Sequence, residues 1–244
     1  MEERINRDNG NIYPDIYLNF DQGYNPTLES PNSEFVLQFY QTKETLVDID
    51  IYKRFINNAV NRFRSSVTYK HYKNYLIELG LDRCQLLSNI DMSLFEKHKN
   101  GIEMHHNFLT IFDIALMICE HVLNTQGYIS TFDLVQLLKE AHKDNEVPIV
   151  MLCKTAHQIF HANQEMIIPA QACFGYWMDL LKKYNKGITL EIANKVIIFL
   201  NASIEYCKTE LDYTNELLKL RDDILDWSRL NVYSNQLTIT DIMA

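Results

Sequence analysis

The chain lacks the features of a membrane-spanning or secreted protein. None of its apolar runs reaches the roughly eighteen residues that a transmembrane helix needs. The N-terminal sequence MEERINRDNG does not have the charged-then-apolar pattern of a secretion signal. The five cysteines are scattered, and no two of them form a CxxC motif. We therefore expect no membrane partner, reduced thiols and a location in the cytoplasm.

Positive charge is also scarce. The chain has 23 Lys and Arg against 32 Asp and Glu, a formal net charge of −9. This balance argues against a general nucleic-acid coat, because binding to phosphate needs positive charge. The charge is unevenly distributed, however: residues 1–50 carry three Lys or Arg and ten Asp or Glu, whereas residues 51–100 carry nine and four.

Six cations form a basic block ahead of the first histidine pair. We predict that they contact the phosphate backbone of DNA, while a solvated helix face explains the same pattern equally well. The six residues are Lys53, Arg54, Arg62, Arg64, Lys70 and Lys73.

Proline and glycine are few, with five and seven residues, and their positions suggest the domain organisation. Three of the five prolines precede residue 35, among many Asn, Asp and Tyr residues. We interpret residues 1–45 as an irregular acidic arm. Residues 46–187 form the predicted central domain, which begins with the basic helices, and residues 188–244 form a C-terminal helical region.

The apolar periodicity predicts helices. The segment IYKRFINNAVNRFR places Ile51, Phe55, Ala59 and Phe63 on one stripe, and the next helix is predicted to stop at Gly80.

Two further helices are predicted within residues 112–143, the second with Ser130 as its N-cap and Asp133 three residues on. We interpret the apolar surface of these two helices as a docking platform for a protein partner. The alternative, and the commoner case, is that these apolar side chains pack against the rest of the domain. The apolar side chains of the platform are Ile114, Met117, Leu134 and Leu138. The acidic C-terminal helices are an alternative place for a protein partner.

Four of the eight histidines lie in two short motifs, GIEMHHNF and LCKTAHQIFHAN. His157 and His161 are spaced i, i+4, so on a helix both imidazoles project from one face. The adjacent His105 and His106 on an extended segment point to opposite sides. Neutral imidazole binds divalent metals and titrates near physiological pH. The motifs therefore supply three nitrogen ligands and one spare base.

The arrangement resembles the His-Me finger superfamily, specifically the HNH nucleases, over about residues 80–165. The resemblance implies an α+β, mostly helical fold with a small ββα-metal core, a helical insertion at 112–143, and flanking helices. It also implies that His105, His157 and His161 hold one divalent ion (Mg, Mn, Ni or Zn), and that His106 is the catalytic base.

Two residues beside the first histidine pair are candidate supports. Glu103 would orient His105, or is a surface carboxylate; Asn107 would fix the His106 loop, although a polar turn residue is the commoner case. HNH nucleases have an Asn at the start of the second strand, and this position falls near Pro148 here. Asn145, three residues earlier, could take the role of that Asn only if the loop is displaced.

The resulting prediction is a divalent-metal-dependent DNA endonuclease. The chain is also similar to uncharacterised phage-encoded HNH-like proteins in the stretches YKHYKNYLIELGLDRCQLL, EMHHNFLTIFDI and IIPAQACFGYWMDLLKKY, which would place it in the host cytoplasm. The alternative is a catalytically inactive HNH-scaffold phage protein that acts as a DNA-processing or virion structural component. A metal-dependent hydrolase of another class would use the same ligands, but HExxH is missing.

Overall fold

The computed structural model describes residues 39–87, 101–162, 166–207 and 209–242, with side chains up to residue 231. The chain divides into two compact units, residues 1–40 and 41–244. The predicted acidic arm, residues 1–45, is described only from residue 39 onward, where it contains a short strand at Tyr40–Thr42; the rest lies outside the described residues. All the described helices lie in the second unit.

Helices dominate the described residues. In chain order they are α1 (Ile49–Arg64), α2 (Val67–Glu78), α3 (Ile111–Gln126), α4 (Thr131–Lys143), α5 (Lys154–Ala162), α6 (Trp177–Lys183), α7 (Leu190–Tyr206) and α8 (Leu211–Ile242). The strands are β1 (Tyr40–Thr42), β2 (Ile102–His106), β3 (Tyr128–Ser130) and β4 (Ile149–Cys153). Short 3-10 helices span Ala170–Ala172 and Asn185–Gly187. The prediction of a mostly helical α+β fold is confirmed at this level.

Helix α1 begins where the side chain of Asp48 accepts hydrogen bonds from the backbone N–H groups of Asp50 and Ile51. This N-cap satisfies donors that have no partner inside the helix. Phe55, Ala59 and Phe63 are buried as the periodicity predicts, along with Ile56 and Val60 between them. Ile51 is half exposed, because the stripe reaches the core only from the second turn onward.

Helix α2 ends at Glu78, and Gly80 adopts the left-handed conformation, with φ of 93°. Glycine occupies this region at no steric cost and so ends the helix where the sequence predicts. Within the described residues, no helix combines the length and the apolar content that crossing a membrane requires.

Helices α3 and α4 both begin with a capping box. Thr110 and Asp113 exchange hydrogen bonds at the start of α3, and Ser130 and Asp133 do so at the start of α4. The second box confirms the predicted N-cap.

The apolar side chains of the predicted docking platform lie in the core instead of on the surface. All four of them, Ile114, Met117, Leu134 and Leu138, are fully buried. They pack between α1, α3 and α4, because a helix with one apolar stripe buries that stripe first. A partner surface on the C-terminal helices remains a prediction.

The 3-10 helix Asn185–Gly187 packs closely against α3. A Cβ atom on Gly187 would lie 1.8 Å from the carbonyl oxygen of Met117. Only glycine lets the two backbones approach this closely, so the residue fixes where the segment before α7 crosses α3.

Strands β2 and β4 pair antiparallel, and α5 follows β4 without a loop. His105 lies opposite Val150, and His106 lies opposite Ile149. Since successive side chains of a strand point to opposite faces, the two adjacent histidines leave β2 in opposite directions. Strands β1 and β3 form a separate two-stranded sheet.

Candidate metal centre and basic face

The structure brings His105, His157 and His161 together. His105 lies on β2, and the other two lie one turn apart on α5. One nitrogen atom of each ring can be chosen so that all three lie within 4.8 Å of one another. The Nε2 atoms of His157 and His161 are 3.1 Å apart. These are the three residues that the sequence predicts as metal ligands.

Glu103 orients this cluster through His157. Its Oε2 atom lies 2.6 Å from the Nδ1 atom of His157. A carboxylate accepts, so Nδ1 of His157 carries a proton; in the neutral ring Nε2 then carries the lone pair, 3.1 Å from Nε2 of His161. The sequence predicts Glu103 as the support of His105; the structure places it against His157 instead. Glu103 and His105 share a face of β2, and α5 brings His157 over that face.

His105 is the buried member of the cluster. Burial, with the neighbouring His157 and His161 rings, lowers the pKa of His105 to about 4, so the ring is neutral at pH 7. Its Nε2 atom has no hydrogen-bond partner among the described residues. The ring of Phe160 packs against it with a centroid distance of 4.8 Å. A neutral imidazole with an unused nitrogen is in the correct state to bind a metal ion.

His106 belongs to a different environment. Its Nε2 atom lies 3.0 Å from Nε2 of His142, and His142 is completely buried. Nδ1 of His142 lies 2.7 Å from the carbonyl oxygen of Leu138, so that nitrogen is the donor. Neutral His142 therefore accepts at Nε2, and His106 donates. Burial lowers the pKa of His142 to about 4 and that of His106 in the same direction.

This environment corrects the predicted catalytic role of His106. The ring is buried beside Tyr69 and forms its hydrogen bond with a core histidine. A base that activates water must reach both solvent and substrate, and here the strand alternation turns His106 away from the three-histidine cluster. The sequence does contain a signal for its partner: Leu134, Leu138 and His142 recur at helical spacing, which places His142 on the buried face of α4.

The two asparagines predicted as supports lie outside the cluster. Asn107 is buried, and its side-chain amide donates to the carbonyl oxygen of Ile168 at 3.0 Å. Asn145 has a φ of 55° after α4, and its side chain bonds the hydroxyls of Tyr72 and Tyr75, both at 3.2 Å. Asn145 thus joins the end of α4 to α2 and does not contact a histidine of the cluster.

The predicted basic block forms part of the surface of α1 and α2. Residues 51–77 contain six Lys and Arg and no Asp or Glu. Five of the six cations are exposed, and Lys73 is half-buried. None of the six forms an ion pair with another described residue. The guanidinium of Arg62 lies 5.8 Å from the centre of the Phe132 ring on α4, which holds that side chain against the surface.

Comparison with known families identifies the class of the protein. The model of a family described as bacteriophage G278-like virion protein matches residues 1–230, nearly the whole chain. The chain is therefore a phage virion protein. It belongs to the G278-like virion protein family. No curated protein and no solved structure matches it.

This family membership overturns the predicted HNH identity. The match spans the histidine motifs and the inserted helices, and the family is one of virion proteins, not of nucleases. The prediction of a nuclease is wrong, and the buried pair of His106 and His142 gives a physical reason for the error. The predicted phage origin is confirmed.

Proposed function

We propose that this chain is a non-catalytic structural component of the phage particle, and that it contacts the packaged DNA through the basic face of α1 and α2. Its place is then the particle rather than the host cytoplasm. Family membership supports the structural role. The observation that carries the DNA contact is the absence of any carboxylate among residues 51–77, which hold six cations.

The charge of the basic face is opposite to that of the chain as a whole. The net charge is −9, so a stretch without acidic residues is not a consequence of average composition. Exposed cations that pair with no carboxylate of the described residues can displace counterions from phosphate. Arg62, Arg64 and Lys70 lie within nine residues, on either side of the short turn between α1 and α2. They are the centre of the proposed contact.

The test is DNA binding by the full chain as a function of salt, followed by fluorescence anisotropy of a labelled duplex. Each phosphate neutralised contributes about 0.9 to the slope of log K against log salt. Changing Arg62, Arg64 and Lys70 together to Gln should lower that slope by about 1 to 3 and weaken binding to all sequences alike.

The matched control changes Lys143, Lys182 and Lys219 to Gln, because these three lysines are also exposed and lie on α4, α6 and α8. Both variants carry the same net charge. An equal loss in the two would mean that only total charge matters, and would overturn the assignment of this face. Absence of binding by the wild type at about 50 mM salt would overturn the DNA contact altogether.

A further inference from the structure

We propose that His105, His157 and His161 hold one divalent transition-metal ion, and that the ion has a structural role: it fastens α5 to β2. This inference goes beyond DNA binding and does not rest on it, because the histidines lie on other elements than the basic face.

The spacing of the nitrogen atoms suits one ion. Tetrahedral bonds of about 2.0–2.1 Å between Zn²⁺ and nitrogen place two ligand atoms about 3.3 Å apart. The Nε2 atoms of His157 and His161 are already 3.1 Å apart, and a nitrogen of His105 lies within 4.8 Å of both. The bound ion would bring the three nitrogens to this separation by rotation of the side chains.

The contact between Glu103 and His157 is the second observation. A histidine that binds a metal through one nitrogen usually donates the other N–H to a carboxylate, which fixes the tautomer and directs the lone pair. Oε2 of Glu103 lies 2.6 Å from Nδ1 of His157 in this way. Because the Glu103 carboxylate is bound to Nδ1, and not located beside Nε2, Glu103 orients a metal ligand and is not itself a ligand.

His105 supplies the third observation. Its Nε2 atom is buried and has no hydrogen-bond partner among the described residues. Buried polar atoms in proteins are almost always satisfied, so an imidazole nitrogen without a partner, in a ring that packs against two other imidazoles, calls for a ligand. A cation bound between the three rings would satisfy His105 and would replace the hydrogen bond between the Nε2 atoms of His157 and His161.

The ligand set defines the class of ion. Imidazole nitrogen suits zinc, nickel, cobalt and copper, whereas magnesium and calcium are held by oxygen. No carboxylate joins the three-histidine group among the described residues. Within the range predicted from the sequence, zinc and nickel therefore fit, and magnesium does not.

The structural role follows from how weakly α5 is otherwise packed. Of its nine residues, Ala156 alone is buried. The apolar packing of α5 rests mainly on this alanine and on the partly buried Phe160, so hydrophobic contacts hold this short helix only weakly. Two of the three ligands come from α5 and the third from β2, so the ion would join the helix to the strand beside it.

The experiment uses the full chain without an affinity tag of histidines, stripped by chelator and titrated with Zn²⁺, Co²⁺ and Ni²⁺. Three variants are compared: His161→Gln, Glu103→Gln, and His71→Gln as the matched control, since His71 is exposed on α2 outside the cluster. We expect one ion per wild-type chain and visible Co²⁺ absorption. Glu103→Gln should weaken binding about 10- to 100-fold, His161→Gln should weaken it further, and the control should match the wild type.

Amide hydrogen exchange supplies a readout that does not depend on affinity. Zn²⁺ should slow exchange in α5 of the wild type and leave α5 of His161→Gln unchanged. His161 is exposed, so its substitution should not impair folding. Failure of the wild type to bind any of the three ions, or equal binding by wild type and His161→Gln, would overturn the site. Binding without slower exchange in α5 would overturn the structural role. Neither result alters the salt dependence of DNA binding, which is measured on the stripped protein.

Discussion

His106 on β2 and His142 on α4 form a buried hydrogen bond between two neutral imidazoles, with their Nε2 atoms 3.0 Å apart. The bond requires a defined tautomer in both rings, because Nδ1 of His142 already donates to the carbonyl oxygen of Leu138. The aromatic rings of Phe63 and Tyr72 enclose His142, so a proton added there would be a buried charge.

Acid should therefore destabilise the fold before its carboxylates are protonated. The folded-state pKa of His142 is about 4, below the unfolded value of about 6.5. The unfolded chain binds more protons between these values, so the contribution is complete above pH 6.5 and is lost as the pH falls toward 4. The loss at pH 4 is on the order of 3 kcal/mol for this residue.

Urea unfolding measured from about pH 7.5 to about pH 4 checks this expectation. His142→Gln should unfold more easily at neutral pH, yet its stability should depend less on pH than that of the wild type. A variant whose pH dependence equals that of the wild type would show that other groups, such as His105, account for the acid sensitivity.

Gly187→Ala should be strongly destabilising. The added Cβ would lie 1.8 Å from a backbone carbonyl oxygen of α3, and a backbone atom cannot rotate away. We expect a loss of about 3 kcal/mol or more, measured by thermal unfolding. Gly127→Ala is the comparison: its φ is 85°, but a Cβ there meets nothing within 4 Å, so the loss should be only about 1–2 kcal/mol.

Lys195→Met should destabilise the start of α3. Nζ of Lys195 lies 2.7 Å from Oδ1 of Asp113, a carboxylate that is almost fully buried. Removing the cation leaves the charge of Asp113 with only the hydrogen bonds of its capping box, at a cost of about 1–3 kcal/mol. Glu191→Gln removes only the exposed partner of the same lysine, so its effect on the melting temperature should be close to zero.

The virion assignment predicts that the chain is retained in purified particles. Mass spectrometry of particles purified on a density gradient should find it in constant ratio to the other virion proteins, before and after a high-salt wash. Its presence only in the unassembled fraction of the lysate would contradict the structural role.

Local periodicity made part of the candidate site predictable. The i, i+4 spacing of His157 and His161 and the strand-like run before them sufficed to place two imidazoles on one face of a helix. The alternation of side chains along a strand separated His105 from His106. Each of these inferences depends only on residues that are close together in the sequence.

The errors came from contacts between distant residues. The partner of His106 is 36 residues away on α4, and the partner of Glu103 is on α5. Local periodicity places His142 on the buried face of its helix, but it does not show that His106 or Glu103 meets a residue of another element. The same holds for Gln85, whose side chain and backbone bond the backbone of Met151 across 66 residues. Tertiary packing turned the predicted base into a core residue, and family membership identified the class of protein.

The difference between the two faces of β2 also determines the register in which β2 pairs with β4. If β2 slipped by one residue, His106 would replace His105 beside α5, and His105 would enter the core, so the histidine pair alone cannot distinguish the two alignments. Glu103 and Met104 do distinguish the two alignments. The slip would bury the carboxylate of Glu103 against apolar side chains and move Met104 to the face of the metal ligands. The residue that supports His157 thus also specifies the strand register.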